Sequence, residues 1–153
     1  KNKEKLVLVS MGGIATRLPM DNWPQMPGIR WLVQADWQVK RQDVSTLESL
    51  AMDFTDVLAS CDAILSKSGY GAFAEAACNG IPMIYVERHD WPEQGDLVAW
   101  LQQHGRCLKF DKQQMQTGDF ASELQYFLAL PKPVPVAASG IEQVTEFLLK
   151  RLA

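Results

Sequence analysis

The chain has 153 residues, of which 47% are hydrophobic and 22% charged, and its 15 basic and 18 acidic residues give a net charge of −3. This composition predicts one globular domain with a single core. A general nucleic-acid partner is excluded, because nonspecific affinity for polyanions needs clusters of basic residues that neutralise phosphates, and the sequence has none.

The sequence carries no membrane-targeting feature. No apolar run approaches the roughly 18–20 residues of a membrane-spanning helix, and no cleavable leader pattern precedes the first apolar run. We therefore expect a cytoplasmic protein without a membrane span. The start at Lys1, a few residues ahead of that run, fits a piece cut from a longer protein, but a lost initiator Met or a processed leader gives the same start.

The three cysteines, Cys61, Cys78 and Cys107, are odd in number and widely spaced among apolar residues. This spacing supports neither a disulfide framework nor a zinc site, so we expect three free thiols in the core. No metal site is expected around His89 either, because no Cys or second His completes a zinc set there.

Short apolar runs alternate along the chain with segments of helical spacing. The apolar runs predict strands at 6–10, 29–33, 63–66, 83–86 and 106–110, with a weaker candidate at 37–40. The helical spacing predicts helices at 54–59, 72–79, 119–128 and 141–152, and another that ends near 103. Between 14 and 28, three prolines predict mainly a loop, with room for a short helix around 18–23.

This alternation decides the expected fold class. Parallel strands need crossover connections, which are usually helices. The sequence therefore predicts an α/β, Rossmann-like parallel sheet with helices on both faces. In such sheets ligands bind beyond the carboxyl ends of the strands, where loops lead into helix N-termini.

The loop after the first strand contains Gly12 and Gly13. Adjacent glycines have no side chains to keep a ligand away and can adopt positive φ, so their amides can approach a phosphate closely. A tight turn without any ligand explains the same pair.

The second loop lies within 66–75, between a predicted strand and an Ala-rich helix. Gly69 and Gly71 flank Tyr70 just ahead of that helix, where unpaired amides and the helix dipole favour an anion such as a pyrophosphate. Glu75 follows among small and apolar neighbours, so we expect a largely buried helix whose carboxylate accepts hydrogen bonds from ribose hydroxyls. A capping or solvent-facing glutamate is the alternative.

The third loop ends in Glu93 and Gln94, just ahead of another predicted helix. A carboxylate beside an amide that both donates and accepts is suited to reading sugar hydroxyls. A solvated capping turn is the alternative, since Asp90 and Glu93 also suit a helix N-terminus.

The loops together carry a recognisable combination of motifs. In these motifs the sequence resembles the C-terminal, donor-binding half of glycosyltransferases of the glycosyltransferase-B fold. The order and spacing that carry the resemblance are those of Ser66 through Glu75, then Gly80-Ile81-Pro82, then Glu93-Gln94. The sequence is similar in particular to the family of the peptidoglycan lipid II-forming N-acetylglucosaminyltransferase. The resemblance extends from Leu6 to about Phe110 and is strongest over 62–94.

The resemblance implies a role for each loop. The Gly12-Gly13 loop and the turn formed by Ser68, Gly69, Tyr70 and Gly71 would face the donor diphosphate, Glu75 would hold the ribose, and Glu93 and Gln94 would hold the transferred sugar. Met52 and Phe54 are the candidates for contact with the base. The sequence departs from the family at 18–28, where a Pro-interrupted stretch replaces the usual long helix after the glycine loop.

The resemblance also implies the partners. The donor would be a nucleoside-diphosphate sugar, with UDP as the expected nucleotide, and no cofactor is implied. The acceptor and the general base would belong to an N-terminal domain, so no catalytic residue is assigned here, neither His89 nor His104. Two alternatives stay open: a nucleotide-sugar 2-epimerase-like enzyme, and a non-catalytic module that binds a sugar nucleotide.

Overall fold

A computed structural model of the protein describes residues 4–13, 17–88 and 90–152. Within these ranges the strands are β1 (Lys5–Ser10), β2 (Ile29–Val33), β3 (Val44–Thr46), β4 (Ala63–Lys67), β5 (Met83–Val86) and β6 (Cys107–Phe110). The helices are α1 (Phe54–Ser60), α2 (Tyr70–Cys78), α3 (Gln94–His104), α4 (Lys112–Thr117), α5 (Ala121–Ala129) and α6 (Gly140–Leu152).

In the described ranges the six strands form one parallel sheet, in the order β3-β2-β1-β4-β5-β6. Strands β2 and β3 lie in sequence on one side of β1, and strands β4, β5 and β6 lie in sequence on its other side. Ligands bind in open α/β sheets where the strand order reverses in this way. The predicted Rossmann-like parallel sheet is confirmed.

Two apolar layers cover the sheet. One face is covered by α1, α2 and α3, which bury Leu58, Phe73 and Leu101 against alternate residues of the strands. The other face is covered by α4, α5 and the segment 18–26. The expectation of helices on both faces is therefore confirmed. The helices bury the parallel strands on both sides, as is usual for such sheets.

The Pro-interrupted segment is mainly a loop with one short helical turn, as predicted, and it inserts a few apolar side chains into the core. It contains a 3-10 turn at Met20–Asn22, and it buries Met20 and Trp23 against the sheet. The indole of Trp23 donates to the backbone carbonyl of Met115 at 2.8 Å and stacks edge-on against Phe120. This segment therefore covers the sheet where a crossover helix would otherwise lie.

Arg41 holds the segment in place. Its side chain is only 8% exposed, pairs with Asp43 at 2.6 Å, and donates to the backbone carbonyls of Met20, Trp23 and Pro24. The bidentate hydrogen bond from the guanidinium keeps the pKa of the Asp43 carboxyl below its usual value. Removing one partner of such an ion pair destabilises the fold, because the other charge stays buried without a partner.

Three details differ from expectation. The predicted strand at 37–40 is wrong, because Ala35–Trp37 forms a 3-10 turn that buries Trp37, and the edge strand is the polar Val44–Thr46. Helix α4 was not predicted, although Asp111 and Gln114 form a capping box at its start. Cys61 is a buried free thiol, as expected, with burial raising its pKa to about 11, whereas Cys78 and Cys107 are only half-buried.

Helix α6 stands apart from both layers. None of its described residues is buried, and its apolar side chains are exposed, with Ile141 at 84% and Leu152 at 83%. Among the described helices, none combines the length and the apolar character needed to cross a membrane.

We expect the substitution Arg41→Ala to lower the free energy of unfolding by about 3 kcal/mol at pH 7, because it leaves Asp43 and three carbonyls without their buried partner. Since folding depresses the pKa of Asp43, its contribution is complete above pH of about 4 and is lost as the pH falls below that value. Urea unfolding of both proteins between pH 7 and pH 3 measures this, and the difference between them should shrink towards pH 3.

Lys109→Ala is the control, because Lys109 forms an exposed ion pair with Glu87 and should cost less than about 0.5 kcal/mol. If Arg41→Ala unfolds with the free energy of the wild type, the proposed role of this ion pair is wrong.

Candidate functional site

The loops after β1, β4 and β5 leave the sheet at the same edge. Ser10 of β1 lies beside Ser66 of β4, and Lys67 of β4 lies beside Val86 of β5. Because the three strands are neighbours and parallel, the residues that follow them are brought together. The residues predicted to bind the diphosphate, the ribose and the sugar all follow β1, β4 or β5.

Gly12, in the loop after β1, lies close to the side chain of Lys67 at the end of β4. Gly12 has φ of +61°, and a Cβ atom there would lie 3.3 Å from Cε and 3.5 Å from Nζ of Lys67. The lysine side chain therefore lies directly over the glycine loop. No carboxylate in the described ranges pairs with its ammonium group, which leaves a positive charge at this edge of the sheet.

The amides nearby are open to a ligand. A Cβ atom built on Gly13, Gly69 or Gly71 would meet no atom within 4 Å. Gly69 precedes the first residue of α2 and provides no side-chain cap, so the first amides of this helix have no intrahelical partner and no capping oxygen. Lys67, the glycine loop and the α2 N-terminus thus all favour negative charge at the same edge of the sheet.

Two hydrogen bonds join the α2 loop to the α3 N-terminus. Ser68 is fully buried, and its hydroxyl donates to Oε1 of Gln94 at 2.5 Å. The hydroxyl of Tyr70 donates to Oε2 of Glu93 at 2.6 Å, and this bond raises the pKa of Tyr70. The Tyr70 ring packs edge-on against Trp91 with centroids 5.2 Å apart. The side chains of Ser68 and Tyr70 therefore point towards α3, while the backbone of their turn forms the start of α2.

Glu75 lies one helical turn beyond Gly71, on the same side of α2, because residues four apart share a face of a helix. The expectation that this helix is buried on most sides is wrong. Phe73, Ala76 and Ala77 face the core, whereas Gly71 and Ala74 are exposed and Glu75 is half-buried. Its carboxylate has no hydrogen-bond partner among the described residues.

The candidates for base contact also lie at the carboxyl edge. Beyond β3, the chain passes through a 3-10 turn at Leu47–Leu50 to α1. Met52 is 50% exposed and Phe54 is 40% exposed. Exposed apolar side chains next to a polar site offer a surface on which a planar base can pack.

The sequence matches no protein-family model and no curated protein. Among solved structures it is similar to the glycosyltransferase SnogD from Streptomyces nogalater, with a TM-score of 0.52 and 13% identity, covering 95% of this chain and 43% of that one. It is also similar to the glycotransferase of kitacinnamycin, with a TM-score of 0.62 and 19% identity, covering 85% of this chain and 36% of that one.

The chain has the fold of one domain of a glycosyltransferase-B structure. At these identities the likeness concerns the fold alone, and the chain spans less than half the length of either neighbour. The predicted fold, one half of a glycosyltransferase-B fold, is confirmed.

Sequence reasoning missed Lys67 as a site residue. The lysine ends a strand, where a charged residue usually contacts solvent, and its approach to Gly12 depends on strand pairing that the local sequence does not show. The sequence signal for Lys67 is its position at the end of a strand, just ahead of the Gly69–Gly71 turn.

The described histidine lies away from these loops. His104 lies at the end of α3 opposite Gln94, with its ring against Trp100, and His89 lies outside the described residues. No three His, Cys, Asp or Glu side chains within the described ranges come together as a metal site would require. The arrangement is suited to binding an anion with attached hydroxyl groups.

We expect Gly12→Ala to destabilise the protein by about 1 kcal/mol or more, because alanine is strained at positive φ. Gly13→Ala is the matched control, since a Cβ there meets open space, and it should change stability by less than about 0.5 kcal/mol. Urea unfolding of the two variants checks this, and equal stabilities would contradict the positive φ of Gly12.

Proposed function

We propose that the chain is the donor-binding domain of a glycosyltransferase and binds a nucleoside-diphosphate sugar, with UDP as the nucleotide. The observation that carries the proposal is the position of Lys67 over Gly12, beside the uncapped N-terminus of α2. An ammonium group with no carboxylate partner among the described residues, together with open backbone amides, thus lies at the edge of the sheet where ligands bind in this fold.

The diphosphate would lie between the Gly12-Gly13 loop and the first turn of α2. Its negative charge grows as the glycosidic bond to the leaving phosphate breaks. Amides and an ammonium group that are already in place stabilise such developing charge without reorganising. In this proposal the domain contributes electrostatic stabilisation of the leaving nucleotide rather than proton transfer.

The nucleoside would extend along α2 away from the diphosphate. Glu75, one turn beyond Gly71, would accept hydrogen bonds from the ribose hydroxyls, since no described residue hydrogen-bonds to its carboxylate. The base would pack near Met52 and Phe54, and the sugar near Glu93 and Gln94. Each of these groups lies beyond a strand end of the same sheet edge or on the helix that follows it.

The acceptor is proposed to bind to a further, N-terminal domain of the same protein. Support comes from the share of the two similar glycosyltransferase chains that this chain spans, 43% and 36%. The motifs at 66–94 favour the family of the lipid II-forming N-acetylglucosaminyltransferase as the type of enzyme. The general base is assigned to the further domain.

A second candidate function is a sugar-nucleotide-binding module without turnover. It is favoured by the segment 18–26, which replaces a helix after the glycine loop and so removes one helix N-terminus from the site. Product analysis with the longer protein distinguishes the candidates: transfer to an acceptor, isomerisation of the donor as in a 2-epimerase, or binding alone.

We expect the chain to bind UDP weakly, with a dissociation constant in the high-micromolar range or above, because half of the cleft is missing. Lys67→Ala should weaken UDP binding about tenfold, since it removes a charge-assisted contact to phosphate, and should leave the weaker binding of uridine unchanged. Calorimetry and ligand-observed NMR measure both ligands.

Lys150→Ala, in the exposed helix α6, is the matched control and should bind UDP like the wild type. If Lys67→Ala also binds UDP like the wild type, Lys67 does not contact the diphosphate. If UDP, dTDP and GDP all fail to bind even the longer protein, the donor-site proposal is wrong.

We expect Glu75→Ala to weaken UDP binding about tenfold and to remove any preference for UDP over its 2′,3′-dideoxy analogue, because the ribose hydroxyls lose their acceptor. Glu146→Ala, on the exposed helix α6, is the control. Competition NMR with the two nucleotides gives the ratio. A Glu75→Ala protein that still prefers UDP would show that the ribose lies elsewhere.

A further inference from the structure

A groove between α2 and α3 is open to solvent and lined mainly by apolar side chains. Tyr70 and Ala74 line it from α2, where they lie one helical turn apart. Asp96, Leu97 and Trp100 line it from α3. The groove has a volume of about 400 Å³, and both of its aromatic rings are exposed. Because Asp96 forms no ion pair within the described ranges, the groove combines apolar walls with one carboxylate that pairs with no described cation.

Helix α6 has an apolar face that is exposed to solvent. Arg151 lies on this face, with its guanidinium carbon 4.7 Å from the centre of the Phe147 ring. At 3.6 residues per turn, the acidic residues Glu142 and Glu146 and the basic Lys150 fall on the opposite face. Arg151 is therefore the cation that α6 presents among apolar side chains. Further exposed side chains complete the apolar face: Ile141, Val144, Leu148 and Leu152.

The segment before α6 is anchored at the C-terminal end of α2. The backbone N–H of Val136 donates to the carbonyl of Ala77 at 3.0 Å. Pro133 packs against Gly80, where a Cβ atom would lie 2.6 Å from the Pro133 carbonyl oxygen. Only residues 137–139 separate this anchor from α6, and no described residue of α6 is buried. The apolar face of α6 thus lies outside the core of its own chain and is accessible to another molecule.

We propose that α6 of one copy of this chain docks in the α2–α3 groove of a second copy. An amphipathic helix in an apolar groove is a common mode of recognition, in which side chains three and four residues apart act as anchors. The charges of the two surfaces match, because Arg151 lies on the apolar face of α6 and Asp96 lines the groove. Removal of both apolar surfaces from water drives the association.

The docking is reciprocal. Each copy has one α6 and one α2–α3 groove, so two copies that exchange their helices make the contact twice and form a closed dimer with two-fold symmetry. The dimer requires no ligand at the carboxyl edge of the sheet, so it stands or falls independently of the proposed function.

Sedimentation velocity of the chain over a range of concentrations tests the dimer. We expect the wild type to change from monomer to dimer as the concentration rises. Leu148→Asp should weaken the dimer at least about tenfold, because it places a charge in the apolar contact. Arg151→Glu and Asp96→Lys should each weaken it about fivefold, because each sets like charges against one another. All three side chains are exposed, so the domain should fold in every variant.

A mixture of the two charge variants tests whether the contact joins different copies. In an equimolar mixture of Arg151→Glu and Asp96→Lys, the heterodimer has opposite charges at both contacts, so its affinity should return to within about twofold of the wild type.

Each charge variant has a matched control. Lys150→Glu changes the same turn of α6 on its polar face, and Asp56→Lys changes the first turn of α1 as Asp96→Lys changes that of α3. Both controls should dimerise like the wild type. If Lys150→Glu weakens the dimer as much as Arg151→Glu, the loss comes from a less stable helix and the proposed contact is wrong.

The other results that overturn the proposal are equally distinct. A chain that stays monomeric at every concentration, or a dimer that Leu148→Asp leaves unchanged, would show that α6 does not form this contact. Charge variants that fail to recover on mixing would show that Arg151 and Asp96 do not pair between copies. A longer protein that stays monomeric while this chain dimerises would show that its further domain covers α6.

Discussion

The close approach of Lys67 to Gly12 is the constraint on which the candidate site depends. It depends on a strand register that sets β4 directly beside β1, and on a loop after β1 whose positive φ at Gly12 favours glycine. With that register, a cation lies over a glycine loop, and α2 begins three residues further along the chain, at Tyr70. Strand β4 also pairs with β5, so the start of α3, which follows β5, lies at the same edge of the sheet.

The rest of the fold keeps this edge of the sheet in position. Helices α1, α2 and α3 pack on one face, and the segment 18–26 packs on the other, anchored by Arg41 and Asp43. The segment covers the sheet with the buried side chains of Met20, Trp23 and Met26, and Arg41 donates hydrogen bonds to its backbone carbonyls. A stable sheet with open loops at one edge is a common arrangement for ligand sites in α/β proteins.

Local patterns predicted the elements that carry strong apolar signals. β2 and β5 were predicted with their observed bounds, because continuous aliphatic runs are typical of strands buried on both faces. The edge strand Val44–Thr46 was missed because its residues are mostly polar and its pairing with β2 is its main support. Lys67 was missed for a related reason, since its significance arises from a contact between residues far apart in the sequence. The Ser68–Gln94 and Tyr70–Glu93 bonds likewise join two loops and have no local signature.

The central claim is that the glycine loop after β1, Lys67 and the start of α2 form a single anion site. Its most direct test is a ¹H–¹⁵N NMR titration of the chain with inorganic pyrophosphate and with UDP. The account predicts that both ligands shift the amides of Gly12, Gly13 and residues 69–72 together, with one shared affinity for each ligand. Shifts confined to the opposite edge of the sheet, around Lys5 and Lys132, or different affinities for the two loops, would contradict it.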